Sequence, residues 1–454
     1  MEYSTIEDVL EKANSASGKK FKDFDLNNRL KSKGNKGGLG QIIEEGLFGY
    51  AINSNSEADF AELNLELKVT PIRQNKNGTL SAKERLVLNI INYMEEYKTS
   101  FYESSFWRKS NQLLLMFYLW EKDVPRGEYQ ILKSIINRFS AADLEIIRQD
   151  WEYIITQILN GNAHELSEGD TMYLGACPKG SNKNSTREQP FSDIPAMQRA
   201  FSLKQSYMTS LVRKEFNNED IVSFANQKEL RKYTLERIIY QKFEPFIGKT
   251  ASEISSMLNY QVNPSNKSAI ANMTSRILGI TGTKLDSIEE FSKANIEFKT
   301  IRVESNGLPK ESMSFEQVDF NRWVSTNFMD SQFYDKFSST KFLFVVFQHN
   351  ENVENRDSKL YKVFLWNMPQ KVIENELYQM WLRGKKALLK GVQLEQTKRG
   401  VTNNLPKQSE STVCHIRPKA RDSKDKVQLP DGQMITKQAY WLNRHYIAEI
   451  IKSH

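Results

Sequence analysis

Asp59, Glu66 and Lys68 stand in the chain as Asp-x6-Glu-x-Lys, two carboxylates and an ammonium of the kind that metal-assisted phosphodiester hydrolysis needs. A hard cation such as Mg2+ prefers carboxylate oxygens and polarises a phosphoryl oxygen, and a nearby ammonium orients the attacking water or stabilises developing charge. Glu66 and Lys68 lie in Leu65-Glu66-Leu67-Lys68-Val69, which alternates apolar and charged residues as a strand does. Both then point to one face with Cα atoms about 6.5 Å apart, close enough to share a phosphate. Leu65, Leu67 and Val69 face the other way, and Asp59 folds back from the preceding turn. Glu-x-Lys is also an ordinary charge pair on a half-exposed strand, so the chemistry depends on what surrounds it.

The elements that must hold these groups are legible around them. Ser4-Thr5-Ile6-Glu7 reads as a capping box that opens a short helix. Lys36-Gly37-Gly38-Leu39-Gly40 leads into Gln41 to Gly49, an apolar-periodic turn or two of helix ended by glycine. Lys83-Glu84-Arg85 leads into a strand over Leu86 to Ile91, and Leu113 to Tyr118 and Phe342 to Phe347 read as buried core strands. At a spacing of about 230 residues the chain repeats itself. Phe291 to Thr300 follows Phe60 to Val69, including the Glu-x-Lys; Trp151, Gly161 and Glu165 recur as Trp381, Gly391 and Glu395. Pro178-Lys179 recurs as Pro418-Lys419, and Ala200-Phe201-Ser202-Leu203 as Ala439-Tyr440-Trp441-Leu442. The expected organisation is two copies of one α/β module, over residues 1–220 and 253–454, joined by a charged, glycine-poor helical connector over 221–252.

Composition narrows the classes. With 39% hydrophobic residues over 454 positions the chain can bury ordinary cores, and no apolar run approaches the roughly 18 residues a membrane span needs. The first thirteen residues lack a basic start and an apolar stretch, so no signal peptide is visible and the cytoplasm is the expected compartment. Two cysteines, Cys177 and Cys414, build neither a disulfide framework nor a four-cysteine zinc site. His164, His349, His415, His445 and His454 have no close metal-ligand spacing, and Gly279 to Lys284 lacks Walker A spacing and reads as a plain turn. The net charge of +7 suits a polyanion, and Lys398 to Lys426 carries eight basic against three acidic residues.

Taken together, Lys36-x3-Gly40-Gln41-x2-Glu44, Asp59-x6-Glu66-x-Lys68, Arg148-Gln149-Asp150-Trp151-Glu152, Pro178-Lys179 and Arg199-Ala200-Phe201-x-Leu203-Lys204 resemble the MutH family of endonucleases. Within it the chain is similar to two-domain, GATC-specific type II restriction enzymes. The resemblance implies an α/β fold of two tandem restriction-endonuclease-like domains, each a mixed sheet flanked by helices, and Mg2+-dependent hydrolysis of double-stranded DNA at GATC. It implies that Asp59 and Glu66 hold Mg2+, that Lys68 acts on the water, and that Glu44 adds a carboxylate near the metal. Lys36 and Lys109 match lysines near the scissile phosphate and equally fit generic phosphate contacts. Lys179, Ser202 and Lys204 in the first copy, and Arg417 and Lys419 in the second, are the implied DNA contacts. The first copy has Cys177-Pro178-Lys179 where the family has Arg-Pro-Lys, and Ser202 where the repair enzyme has a tyrosine linked to sensing adenine methylation.

The second copy keeps Glu290, Glu297 and Lys299 but has Thr274 or Ser275 in place of Glu44, Asn266 near the position of Lys36, and Ser338-Ser339 at that of Lys109. It is therefore expected to be a non-catalytic DNA-binding or effector domain. One complete site per chain implies dimerisation on DNA or two sequential nicks, and a companion methyltransferase is a possible partner. A strand-specific nicking repair enzyme and a catalytically silent DNA-binding protein are the alternatives.

Overall fold

The computed structural model describes residues 3–31, 37–50, 57–180, 185–219, 222–260, 269–280, 288–349, 358–398 and 400–454. The chain divides into two units, Met1–Leu235 with Asp286–Asn295, and Glu236–Leu285 with Ile296–His454.

In the first unit α1 (Ile6–Asn14) and α2 (Gly38–Gly46) cover a sheet whose strands are β1 (Glu66–Gln74), β2 (Leu80–Ala82), β4 (Leu113–Leu119) and β5 (Gln130–Asn137). The capping box of α1 falls one residue later than the sequence predicts: the Thr5 hydroxyl accepts from the Asp8 N–H at 3.1 Å, and Asp8 accepts from the Thr5 N–H. The sheet order is β2-β1-β4-β5, with β1 parallel to β4 and the other pairs antiparallel. Leu65 and Leu67 pack against Val9, Ile42 and Ile43, with Val69 beside them, so this face of β1 is set by its apolar alternation. Every residue of Leu113 to Tyr118 is buried, because β4 is central and covered on both faces; each such side chain stabilises the fold by about 1.5–3 kcal/mol.

The segment between these parallel strands carries β3 (Leu86–Ile90) and α3 (Ser105–Ser110). Beyond β5, α4 (Ala141–Leu159) is followed by β6 (Leu174–Pro178), the ribbon β7 (Thr186–Gln189) and β8 (Ser192–Met197), β9 (Arg199–Leu203) and α5 (Gln205–Val212). Strands β3, β9 and β6 form a second, antiparallel sheet. The stretch expected to connect the copies, 221–252, carries α6 (Gln227–Leu230), α7 (Leu235–Phe243) and the start of α8 (Ala251–Met257), and it is divided between the two units at Leu235.

The second unit repeats the plan. After α9 (Ala269–Ile277) and α10 (Glu289–Ala294), β10 (Ile296–Val303) runs parallel to β12 (Lys341–Gln348), which pairs antiparallel with β13 (Lys359–Trp366). Strand β11 (Met313–Gln317), α11 (Phe320–Ser325) and α12 (Gln332–Ser339) lie between them in sequence; α13 (Gln370–Val372), α14 (Tyr378–Lys390), the ribbon β14 (Leu394–Thr397) and β15 (Gly400–Asn403), β16 (Cys414–Pro418), β17 (Lys426–Gln428), β18 (Met434–Thr436), β19 (Gln438–Leu442) and α15 (Arg444–Ser453) follow. Strands β11, β19 and β16 match β3, β9 and β6. The duplication reaches irregular details. The β4–β5 register shifts between Phe117 and Tyr118, and the β12–β13 register between Val346 and Phe347. Asn64 and Asn295, each at the turn into the site strand, have φ of 49° and 55°, a left-handed geometry that asparagine tolerates.

The short stretch 286–295 belongs to the first unit for a physical reason. Helix α10 packs on α5, and the buried Lys293 ammonium lies 2.7 Å from both Asp143 oxygens and 2.6 Å from Glu289. A buried ammonium needs such partners.

In the second unit Gly384 of α14 faces the Trp323 ring, and an added Cβ would lie 2.3 Å from it. Trp323 is buried with Trp381 and Tyr440 around it, so the ring has nowhere to go. Gly384→Ala is expected to destabilise this unit by about 2 kcal/mol despite the better helix propensity of alanine, lowering its melting temperature in calorimetry by about 5 °C.

Candidate active site

Strand β1, its leading turn, α2 and α3 bring the first copy's chemistry together. Asp59 turns back so that its Oδ2 accepts from the Leu67 N–H at 2.9 Å, which ties the turn to the strand between the other two groups. Glu66 is 4% exposed, and its Oε1 lies 2.6 Å from the Lys68 ammonium. Its Oε2 is buried and has no hydrogen-bond partner among the described residues. Glu44 approaches from α2, which is held in place by its neighbour: Glu45 makes a two-pronged ion pair with Arg29 at 2.6 and 2.7 Å. Arg29 holds the Glu45 carboxyl down at about 2.

The carboxylates share one field. Burial first, and then the charge of Glu66, raises the Asp59 carboxyl above the usual range, while the Leu67 N–H, Lys68 and Lys109 oppose the rise. Burial and then Asp59 raise Glu44, with Lys68 opposing. Three crowded carboxylates with one buried oxygen unpartnered are a place where a hard cation relieves both repulsion and the missing contact. Among the described residues no three His, Cys, Asp or Glu side chains form a ready metal cage.

The other sequence-assigned residues distribute unevenly. Lys36 lies outside the described residues, as do Asn266 and most of the Gly279 to Lys284 turn. Lys109, near the end of α3, is close enough to act on Asp59. Lys179 is exposed just beyond β6. Two of the assigned DNA contacts are corrected by the structure, because they point into the protein. Ser202 is fully buried on β9, its hydroxyl directed at the Gly175 carbonyl, and Lys204 is 1% exposed with its ammonium 2.6 Å from the Thr171 carbonyl. Ser202 lies on β9 between β3 and β6, and Lys204, just beyond β9 at the start of α5, turns its ammonium inward to a backbone carbonyl, so both serve the interior. In the second unit Arg417 and Lys419 are exposed; the Arg417 guanidinium lies 5.3 Å from the Trp441 ring centre, and the Lys419 ammonium reaches the Phe315 carbonyl at 2.6 Å.

The second copy's set of groups comes apart. Glu290 belongs to the first unit, where its carboxylate accepts from the Ser223 hydroxyl at 2.5 Å and from the Ala225 and Phe224 N–H groups. Thr274 and Ser275 are buried on α9 where α2 offers Glu44. The residue that corresponds to Lys109 is not Ser338 or Ser339, the pair that the sequence suggests. In both units a 3₁₀ turn, Phe101–Glu103 or Phe328–Asp330, ends in a serine, Ser104 or Ser331, whose hydroxyl donates back to the phenylalanine carbonyl and caps the next helix. Counting from these caps sets Lys336, not Ser338 or Ser339, opposite Lys109. Lys336 pairs with Glu297 and, at 2.5 Å, with Glu316, so its ammonium occupies the carboxylate that corresponds to Glu66. Lys299 lies 3.4 Å from Glu297 and 4.7 Å above the Phe315 ring.

A parallel strand pair that recurs in both copies, carrying in the first Asp-x6-Glu-x-Lys beside a glutamate-bearing helix, defines an endonuclease of the MutH kind. The family model of the DNA mismatch repair enzyme MutH matches residues 48–150 and 282–378, one stretch in each copy. Over its whole length the chain is similar to the type II restriction enzyme Sau3AI of Staphylococcus aureus, 35% identical across 99% of both chains, and it belongs to this family of MutH-type endonucleases. It is also 26% identical to the DNA mismatch repair protein MutH of Shewanella woodyi, over 47% of this chain and 93% of that one. For MutH of Pasteurella multocida the identity is 25%, over 41% and 83%. Such relatives match less than half of this chain and most of their own length, as a single copy of a duplicated fold should. Restriction endonucleases generally use a divalent metal ion, which the Asp59 and Glu66 oxygens suit.

Proposed function

We propose that the chain is a type II restriction endonuclease that cuts double-stranded DNA at GATC with Mg2+, leaving 5′-phosphate and 3′-hydroxyl ends. The observation that carries this reading is the Asp59, Glu66 and Lys68 cluster with its unpartnered Glu66 oxygen, in a chain similar from end to end to a type II restriction enzyme. Mg2+ held by Asp59 and Glu66 supplies Lewis acidity at the scissile phosphate and a more acidic water. The chain's own part is positioning. Lys68 holds the attacking water in line with the phosphorus, and its contact with Glu66 fixes the ammonium in place. Glu44 adds negative charge that favours the cation, and Lys109 draws the phosphate toward Asp59. Chelation of divalent ions is expected to abolish cleavage and added Mg2+ to restore it, read as fragment formation on a gel.

The second copy acts in this reading as a DNA-binding effector that does not cut. Glu290 held elsewhere, threonine or serine in place of Glu44, and Lys336 on Glu297 all support that assignment. Glu297→Gln is expected to leave the cleavage rate within about twofold, whereas Glu66→Gln removes at least about 99% of it. With one complete site per chain, cutting both strands needs two chains on the DNA or two successive nicks. Plasmid carrying GATC sites is expected to reach linear fragments under excess enzyme. Product that stops at open circles identifies a nicking enzyme instead.

A further inference from the structure

At the C-terminal end of α14, Arg383, Lys386 and Lys390 repeat at helical spacing, are exposed, and make no hydrogen bond or ion pair among the described residues. With Gln393 and Asn404 they line a concavity of about 530 Å3. The residues at the corresponding positions in and just after α4, two, five and nine beyond Trp151 as these are beyond Trp381, are Tyr153, Thr156 and Asn160, none of them charged. The surface has a second part that the first copy also lacks. From Gly391 to the start of β16 the chain is ten residues longer than from Gly161 to the start of β6, and the β14–β15 ribbon over 394–403 accounts for the difference. Gln393 and Asn404 are the feet of this ribbon, joined by a bond from the Gln393 N–H to the Asn404 side chain at 3.0 Å, and the exposed Lys398 lies at its turn. Nearby Asp431 accepts from the Val392 N–H and from Gln433 and makes no ion pair with these cations among the described residues.

We infer that the α14 end and the β14–β15 ribbon form a phosphodiester-binding surface of the second domain, which holds the sugar-phosphate backbone of duplex DNA. Three cations spread over about 10 Å of helix meet successive phosphates, and the two side-chain amides donate to the phosphate oxygens between them. Cations at a helix C-terminus are favourable in any case, but that alone accounts neither for the lining amides nor for the added ribbon. Phosphate contacts position DNA without reading it, so this surface contributes affinity and not sequence choice. The inference rests on the reading of the second domain as DNA-binding and deepens it.

The test is a salt titration of binding to a GATC duplex and to a scrambled duplex, using the full chain in a cleavage-dead Lys68→Ala background. The triple variant Arg383→Gln, Lys386→Gln, Lys390→Gln is expected to keep its melting temperature, to bind both duplexes about tenfold to a hundredfold more weakly, and to lower the slope of log affinity against log salt by about 2–3. The ratio between the two duplexes stays constant. A slope and affinity that do not change overturn the inference, and so does a loss confined to the GATC duplex. An Arg417→Ala, Lys419→Ala variant separates the two levels: if it weakens binding and the triple variant does not, the α14 surface alone is wrong, and if neither does, the DNA-binding role of the second domain falls as well.

Discussion

Lys68→Ala is expected to slow cleavage of a GATC duplex by about 10³-fold or more while DNA binding stays within about tenfold. The ammonium sits on the same face of β1 as Glu66 and 2.6 Å from its oxygen, where a single-carbon displacement removes it from any phosphate the carboxylate can share. Alanine leaves the strand, its apolar face and both carboxylates intact, so metal affinity is retained or rises as Glu66 loses a competing partner. Binding persists because many backbone contacts share it and one lysine is a small fraction of them. Single-turnover cleavage and a gel-shift titration on the same preparation check both halves. Equal losses in the two would make Lys68 a binding residue. Glu66→Gln should differ in kind, since it also removes a ligand and makes any remaining cleavage far less responsive to Mg2+.

The largest effect on stability is expected at Asp150. This buried carboxylate accepts from three consecutive backbone N–H groups, those of Met172, Tyr173 and Leu174, at 2.7, 2.6 and 2.9 Å. It thereby pins the start of β6 to α4, and with it the segment that ends in Pro178-Lys179. Asp150→Ala leaves three buried donors without an acceptor at about 1–3 kcal/mol each, partly relieved by local rearrangement, for a net loss of about 4 kcal/mol. Differential scanning calorimetry should show the first unit melting about 10 °C lower. Asp150→Asn keeps one acceptor oxygen and should recover part of the loss. An alanine variant that melts within 2–3 °C of the parent would show that the three N–H groups find other partners.

What the sequence reveals follows the range of the interactions involved. The period of two in Leu65 to Val69 sets both the buried face and the Glu66-Lys68 pair, so strand and site emerge together from five residues. The duplication is legible because buried positions recur, and it extends to the left-handed asparagines and the shared register shift that no pattern announces. Polar residues on inner strands are where reading by type fails. Ser202 and Lys204 look like surface contacts, yet β9 is flanked by strands on both sides and turns Ser202 inward, and Lys204 at the start of α5 is buried against the Thr171 carbonyl. Asp150 stands in a recognisable motif, but its partners lie 22 to 24 residues on and are backbone groups, which carry no identity in a sequence. Lys293 meets Asp143 across 150 positions. The pairing of Lys109 with Lys336 is hidden because α12 is two residues longer than α3, so counting back from the strand and forward from the serine cap give different partners.

Asp59, Glu66 and Lys68 of the first copy are proposed to cut DNA at a defined sequence. The most direct measurement is digestion of a fully sequenced, unmethylated plasmid by the wild-type chain with Mg2+, followed by sequencing of every fragment end. All ends are expected to carry a 5′-phosphate and to fall at GATC, and the Lys68→Ala chain is expected to yield none. Ends at other sequences, or DNA left intact by the wild-type chain, would contradict that proposal.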